Sequence, residues 1–369
     1  MSDEIAQSDR RTGAEHPRHT YSLYGHDASQ AEFLTAYNSD RLHHAWMITG
    51  PQGIGKATLA WRIARFLLSQ PEKGGMFDAS PADTLDVSSD NPVARRIDAL
   101  GEPCLYLARR PWDEKTKKLK QNITVDEIRK LKSFFNLSAS DGGWRVAIID
   151  AADEMNTAAA NALLKVLEEP PEKVLILLIS HQPSRLLPTI RSRCRTLRCG
   201  SLKPDDLGAA LAQAGYETQS EIQTVSILAD GSVGASIALI SSEGANLYRN
   251  IVDMAVQAPR MDRQAMQSMA DACVGKTATE HYDMTLRLFA QFVARLAKFG
   301  AMQPSDFQEA VSGEALILSK LAPNANAGRK WAGFLQSLTA RAGHARAVNL
   351  DPSSVILDML MTFEEIARA

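Results

Sequence analysis

Cysteine is scarce in this chain: 369 residues carry four, Cys104, Cys194, Cys199 and Cys273, and no two form a CxxC pair. That spacing argues against a structural zinc site. It also argues against a small disulfide-stapled fold, so reduced thiols are expected. Long apolar runs are missing too. The best are VAIID at 146–150 and VLILLIS at 174–180, well short of the roughly 18 residues of a membrane-spanning helix. The opening MSDEIAQSDRRTGAEHPRHT lacks the apolar core of a secretory signal. A cytoplasmic protein with no membrane association is the expectation. Charge of one sign is not in excess: 41 Lys and Arg against 43 Asp and Glu give a formal net charge of -2. A chain basic throughout is excluded, but local basic clusters are not. A hydrophobic fraction of 45% excludes wholesale disorder, and the length suggests two or three domains.

What is present is organised as alternating strands and helices. Residues 1–20 read as a flexible tail. The run Ala45–Thr49 is a buried-strand candidate, followed by a glycine-rich loop and a helical pattern through Leu59, Ile63, Phe66 and Leu67. A Pro- and Gly-marked loop insertion covers about 70–110. The basic stretch RRPWDEKTKKLK runs from Arg109 to Lys120; it suits either a solvated face or a nucleic-acid contact. Further strands are expected at Arg145–Ile149 and Val174–Ile179. The latter is apolar on both faces, as in a parallel sheet covered on both sides. Between them, Asn156 or Thr157 caps a helix with Ala160, Leu163, Leu164 and Leu167 on one stripe, ended by Pro170-Pro171. The alternation predicts an α/β parallel-sheet core over 21–200. Beyond residue 200 the pattern turns helical. One helix is marked by Leu286, Phe289, Val293 and Leu296, with Gly300 beyond its end. Another carries Trp331, Leu335 and Leu338, and a last one begins at Asp351-Pro352.

The strongest chemical signal is GPQGIGKA at 50–57. Gly50, Gly53 and Gly55 let backbone amides fold round phosphates, and Lys56 would reach the outer ones at a helix N-terminus. The position after the lysine needs a hydroxyl for magnesium, yet it is Ala57. Thr58, one residue on, is kept as a candidate although its offset turns it elsewhere. Asp150 ends the strand in VAIIDAADEMN as a Walker B aspartate would. It reads equally as a holder of a magnesium-bound water and as a strand-end hydrogen-bonding residue. Ala151 follows it where an active ATPase of the AAA+ class carries a water-activating glutamate. Hydrolysis by this chain is therefore not expected.

The segment Ile190-Arg191-Ser192-Arg193-Cys194 follows the third strand. Arg191, Arg193, Arg195 and Arg198 lie close in sequence, and an arginine can stabilise charge on a neighbour's transferring phosphate. Cys194 reads as a small core residue rather than a nucleophile.

Together these segments resemble the clamp-loader AAA+ family of bacterial DNA polymerase III, in particular its delta prime type. The resemblance rests on LHHAWMITGPQGIGKATLA, on GGWRVAIIDAADEMNTAAANALLKVLEEPPEKVLILLISHQPSRLLPTIRSRC, and on NLDPSSVILDML near the end. It implies an AAA+ P-loop core, a small helical lid at 201–255 and an all-helical collar at 256–369. It further implies a stator that does not hydrolyse ATP. Such a subunit donates the SRC arginine, here Arg193, to an ATP site on an adjacent tau/gamma subunit, in an assembly with delta that places the beta sliding clamp on primer–template DNA. Magnesium would belong to that neighbouring site. ATP or ADP could be held without turnover at Gly50, Gly53, Gly55, Lys56, Thr58 and Asp150. DNA would be met through its backbone, with Arg109, Arg110, Lys117, Lys118 and Lys120 as candidates. Hydrolysing relatives carry a four-cysteine zinc module where this chain has only Cys104. They also carry a lid arginine where this chain reads Gly231-Ser232-Val233-Gly234. The alternative reading is an autonomous AAA+ ATPase in replication or repair, resting on the glycine loop, Lys56 and Asp150.

Overall fold

The computed structural model describes residues 6–71, 81–136, 143–217, 222–275 and 278–368. Residues 72–80 of the expected 70–110 loop insertion lie outside them, and its later part is not loop, since it forms a helix at Pro92–Asp98 and an edge strand of the main sheet at Leu105–Arg109. The described chain divides into two compact units. One is 1–216 with 231–234, and the other is 217–230 with 235–369. The stretch 201–255 is shared between them.

In the first unit, helix α1 (Asp27–Asn38) precedes strand β1 (Ala45–Thr49). Helix α2 (Lys56–Ser69), α3 (Pro92–Asp98), β2 (Leu105–Arg109), a two-residue hairpin of β3 (Trp112–Asp113) and β4 (Lys118–Leu119), and α4 (Val125–Asn136) follow. Then come β5 (Arg145–Asp150), α5 (Thr157–Glu168), β6 (Val174–Ser180), α6 (Pro188–Arg191), β7 (Arg195–Arg198) and α7 (Pro204–Gln213). The five longer strands form one sheet in the order β2-β5-β6-β1-β7, and every pairing in it is parallel. The expected α/β parallel-sheet core is thereby borne out.

The sheet is buried on both sides because its strands alternate apolar against apolar. Trp46, Ile48, Ile148, Leu175 and Leu177 face α1 and α2. Met47, Ala147, Ile149, Ile176 and Leu178 face α4 and α5. Each large side chain removed from water in this way contributes about 1.5–3 kcal/mol. Asn156 caps α5 by accepting from the Ala159 amide at 2.8 Å, as its position suggests.

The second unit is helical: α8 (Ile222–Ala229), α9 (Val233–Ser241, whose first two residues belong to the first unit), α10 (Gly244–Val256), α11 (Arg263–Asp271), α12 (Thr279–Met302), α13 (Glu314–Leu321), α14 (Ala325–Ala347) and α15 (Pro352–Arg368). Asp351 caps α15 through the Ser354 amide at 2.9 Å. Phe289, Phe292, Trp331, Phe334 and Phe363 meet in its core. Here one expectation is corrected. Gly300 does not lie beyond a helix end; it is inside α12. A Cβ added there would sit 2.8 Å from the Cα of Gly328 on α14. The glycine serves close approach of two helix backbones rather than termination.

A second correction concerns the N-terminus. Residues 6–20, expected as a flexible tail, lie along α2. Arg65, buried on α2, donates to the carbonyls of Arg18 and Thr20, and its guanidinium stacks over Tyr21 at 4.3 Å. Arg62 donates to the Tyr21 carbonyl. The segment is polar, so hydrogen bonding holds it where hydrophobic patterning could not have revealed it.

Candidate functional site

The glycine loop joins β1 to α2, as the motif requires. Gly50, Gly53 and Gly55 have φ of 145°, 79° and 101°, values that side-chain-bearing residues seldom adopt. Gly50 is fixed by space as well, since a Cβ there would lie 2.1 Å from the Cys199 carbonyl oxygen. Lys56 is buried, and its ammonium donates to the carbonyls of Gly50, at 2.8 Å, and Pro51. Loss of water lowers its pKa to about 8. Ala57 and Thr58 follow in the first turn of α2; Ala57 has no hydroxyl to offer, and Thr58 is half-buried.

The Gly231–Gly234 segment lies directly on this loop. Ser232 Oγ donates to the Gln52 carbonyl at 2.8 Å, and the Gly234 amide donates to the Gly53 carbonyl at 2.9 Å. A Cβ at Gly53 would come within 2.6 Å of Ser232 Oγ and 3.0 Å of the Gly234 Cα. At this point the chain brings a backbone amide and a glycine to the loop.

Asp150 stands at the C-terminal end of β5, buried. Burial first, and Asp9 second, raise its pKa to about 8, so near neutrality the carboxyl is largely protonated. Asp153 Oδ1 accepts from the His181 amide at 2.9 Å. Burial, with Lys56 adding to it, lowers His181 to about 4. Sequence reasoning missed His181; its position one residue past the β6 strand end was the available signal. It also missed Ser232 and Asp9, whose roles come from contacts across the chain.

The structure places Arg193 apart from this cluster, just after α6. Its guanidinium is 2.9 Å from the Glu168 carboxylate and donates to the Thr189 carbonyl at 3.0 Å. Glu168 ends α5 within the LLKVLEEPP run, so the two quoted motifs meet in space. Cys194 packs against the α4–α5 side of the sheet, and burial raises its thiol to about 12, as a core residue requires.

The basic stretch separates into two kinds of residue. Arg109 pairs with Asp9, and Arg110 lies 2.7 Å from Glu154. Lys117 pairs with Glu114 at 3.1 Å, while Lys118 and Lys120 are exposed. The two arginines are drawn into the sheet's edge because acids from distant parts of the chain neutralise them there.

Residues 25–203 match the family described as "DNA polymerase III, delta subunit". The chain is similar to delta prime subunits of DNA polymerase III. That of Pseudomonas aeruginosa is 40% identical over 157 residues, 42% of this chain and 43% of the relative. That of Escherichia coli is 30% identical over 213 residues, 58% and 59%. A gamma/tau subunit from Mycobacterium bovis is 29% identical over 194 residues, 52% and 30%. The chain spans about half the length of the delta prime relatives it matches. Among solved structures, a DNA polymerase III gamma subunit-related protein from Thermotoga maritima aligns over 92% of this chain and all of its own, at 17% identity and a TM-score of 0.44. The family match, 25–203, falls within the sheet-bearing unit, which holds the glycine loop, Asp150, Glu168 and Arg193. Among the described residues, no helix is long and apolar enough to cross a membrane.

Proposed function

We propose that this chain is a non-hydrolysing stator of a DNA polymerase III clamp loader, acting in replication by presenting Arg193 to the ATP site of an adjacent tau/gamma subunit. The observation that carries this reading is the half-exposed Arg193 guanidinium, anchored by Glu168 beside a sheet whose own hydrolytic set is incomplete. A guanidinium there would stabilise negative charge spread over a transferring phosphoryl group, worth several orders of magnitude in rate. Its anchor fixes the orientation before the partner arrives. Residues 256–369 would serve as the collar that joins it to tau/gamma and delta, and residues 201–255, Gly231–Gly234 among them, would form the lid.

The residues at the glycine loop fit a phosphate and do not fit a catalytic magnesium. Positive-φ glycines precede α2, whose N-terminus favours an anion, and Lys56 is a cation at its first residue. Ala57 lacks the metal's hydroxyl, Asp150 is largely neutral, and Ala151 lacks a carboxylate to activate water. ATP or ADP can be held at this loop, and no hydrolytic step is assigned to it. This incompleteness disfavours the alternative of an autonomous AAA+ ATPase.

Contact with primer–template DNA would be electrostatic and backbone-directed. Lys118 and Lys120 are the best placed of the candidates. The complex, rather than this chain alone, would engage the beta clamp. The test of the stator reading is ATP turnover by the purified chain, with and without Lys56→Ala. No appreciable turnover by either is expected. Magnesium-dependent turnover abolished by the substitution would establish the alternative.

A further inference from the structure

The N-terminal segment does more than lie along α2. It crosses to the C-terminal ends of β2 and β5, where Arg109 and Asp150 are direct register partners. In open parallel sheets ligands bind outside the carboxyl ends of the strands. Gln7 Oε1 accepts from Arg109 at 3.3 Å and from Arg18 at 3.2 Å. Ser8 Oγ donates to the Arg110 carbonyl at 3.4 Å. The Asp9 side chain is wholly buried and pairs with Arg109 and, at 3.1 Å, with His16. His16 is itself buried and meets the ring of Trp61 on α2 edge-on at 5.9 Å. Farther along, the Tyr216 hydroxyl donates to the Gly13 carbonyl at 2.5 Å.

A flexible acidic tail would leave Asp9 in water. Burying its carboxylate is costly unless a cation meets it; Arg109 supplies that charge, and His16 Nε2 lies 3.1 Å from the other carboxylate oxygen. Arg109 therefore gains a counter-ion from a residue one hundred positions earlier. The consequence is a segment latched by one buried acid onto the edge where Asp150 stands.

We propose that residues 7–16 form an intramolecular strap, latched by Asp9 to Arg109 and His16, which covers the Asp150 edge of the sheet and restricts nucleotide access to the glycine loop. The strap rests on the reading of that loop as a phosphate cradle, and it is independent of Arg193. A cover shut in nine molecules of ten weakens the apparent affinity of the site about tenfold, so opening it restores that factor.

The test uses the full-length chain and two variants, Asp9→Ala and Asp9→Arg. Equilibrium binding of a fluorescent ADP analogue is measured beside hydrogen exchange of residues 6–14. Both variants are expected to exchange faster in the segment and to bind the analogue about tenfold more tightly than the parent. Lys56→Ala placed on Asp9→Ala should remove the gain, which locates it at the glycine loop. Faster exchange with unchanged or weaker binding, absence of binding in every form included, overturns the strap as a cover. Unchanged exchange overturns Asp9 as its latch. Failure of the stator reading would instead appear in assembled-loader turnover, which this experiment does not measure.

Discussion

Glu168 and Arg193 form an ion pair at 2.9 Å, joining the end of α5 to the turn after α6. Both side chains are more than a third exposed, so the pair adds little to stability, about 0–1 kcal/mol. On the proposed stator reading its value is orientation. Glu168→Ala should leave the melting temperature within a degree or two. In a reconstituted loader it should lower DNA-stimulated ATP turnover severalfold, and Glu168→Asp should recover part of the loss. A large drop in melting temperature would show that the pair is a structural brace instead.

The protonation of Asp150 gives a pH signature. Its folded pKa is raised from 3.8 to about 8. Below about pH 4 both folded and unfolded states hold the proton. Between about 4 and 8 the unfolded carboxyl releases it while the folded one keeps it, so stability falls as pH rises. Asp150→Asn lacks that slope. Urea unfolding at pH 5 and 7.5 should show the variant gaining on the parent by up to about 3 kcal/mol across the interval. Parallel pH profiles would contradict the assignment. The Lys56 ammonium, lowered to about 8, contributes its own change only above that pH.

The contact of Gly300 with Gly328 predicts a local sensitivity in the helical unit. Gly328→Ala would place a Cβ 2.7 Å from the Ala301 amide nitrogen and 2.9 Å from the Ala297 carbonyl oxygen. Overpacking of this kind costs about 1–3 kcal/mol, seen as a lower melting midpoint. Gly333→Ala, on the same helix with nothing within 4 Å of the added atom, should be neutral or stabilising.

How much of this was legible in the sequence depended on the range of the interaction. The glycine loop was legible because Gly50, Gly53 and Gly55 encode local backbone conformations. The sheet was legible because β6 is apolar on both faces over seven residues. Gly300 misled because glycine has two uses, ending helices and letting them touch, and only the partner at 328 separates them. The strap was illegible for a similar reason. Asp9 and Arg109 neutralise each other across one hundred residues, with His16 beside them, and each alone reads as an exposed polar residue. The same pairing withdrew Arg109 from the basic stretch expected to meet DNA, and Glu154 withdrew Arg110. Lys118 and Lys120 remain exposed, and their charge reversal should reduce the salt-dependent part of DNA binding by the assembled loader.

The proposed role of Arg193 is to act on a neighbour's phosphate. It is tested by reconstituting the chain with tau/gamma and delta, then measuring ring assembly and DNA-stimulated ATP turnover with Arg193 and with Arg193→Ala. Intact assembly is expected, with turnover reduced by about tenfold or more, and little rescue by Arg193→Lys, whose ammonium cannot reproduce the planar fork. Normal turnover by the Arg193→Ala loader, with assembly unaffected, would contradict it.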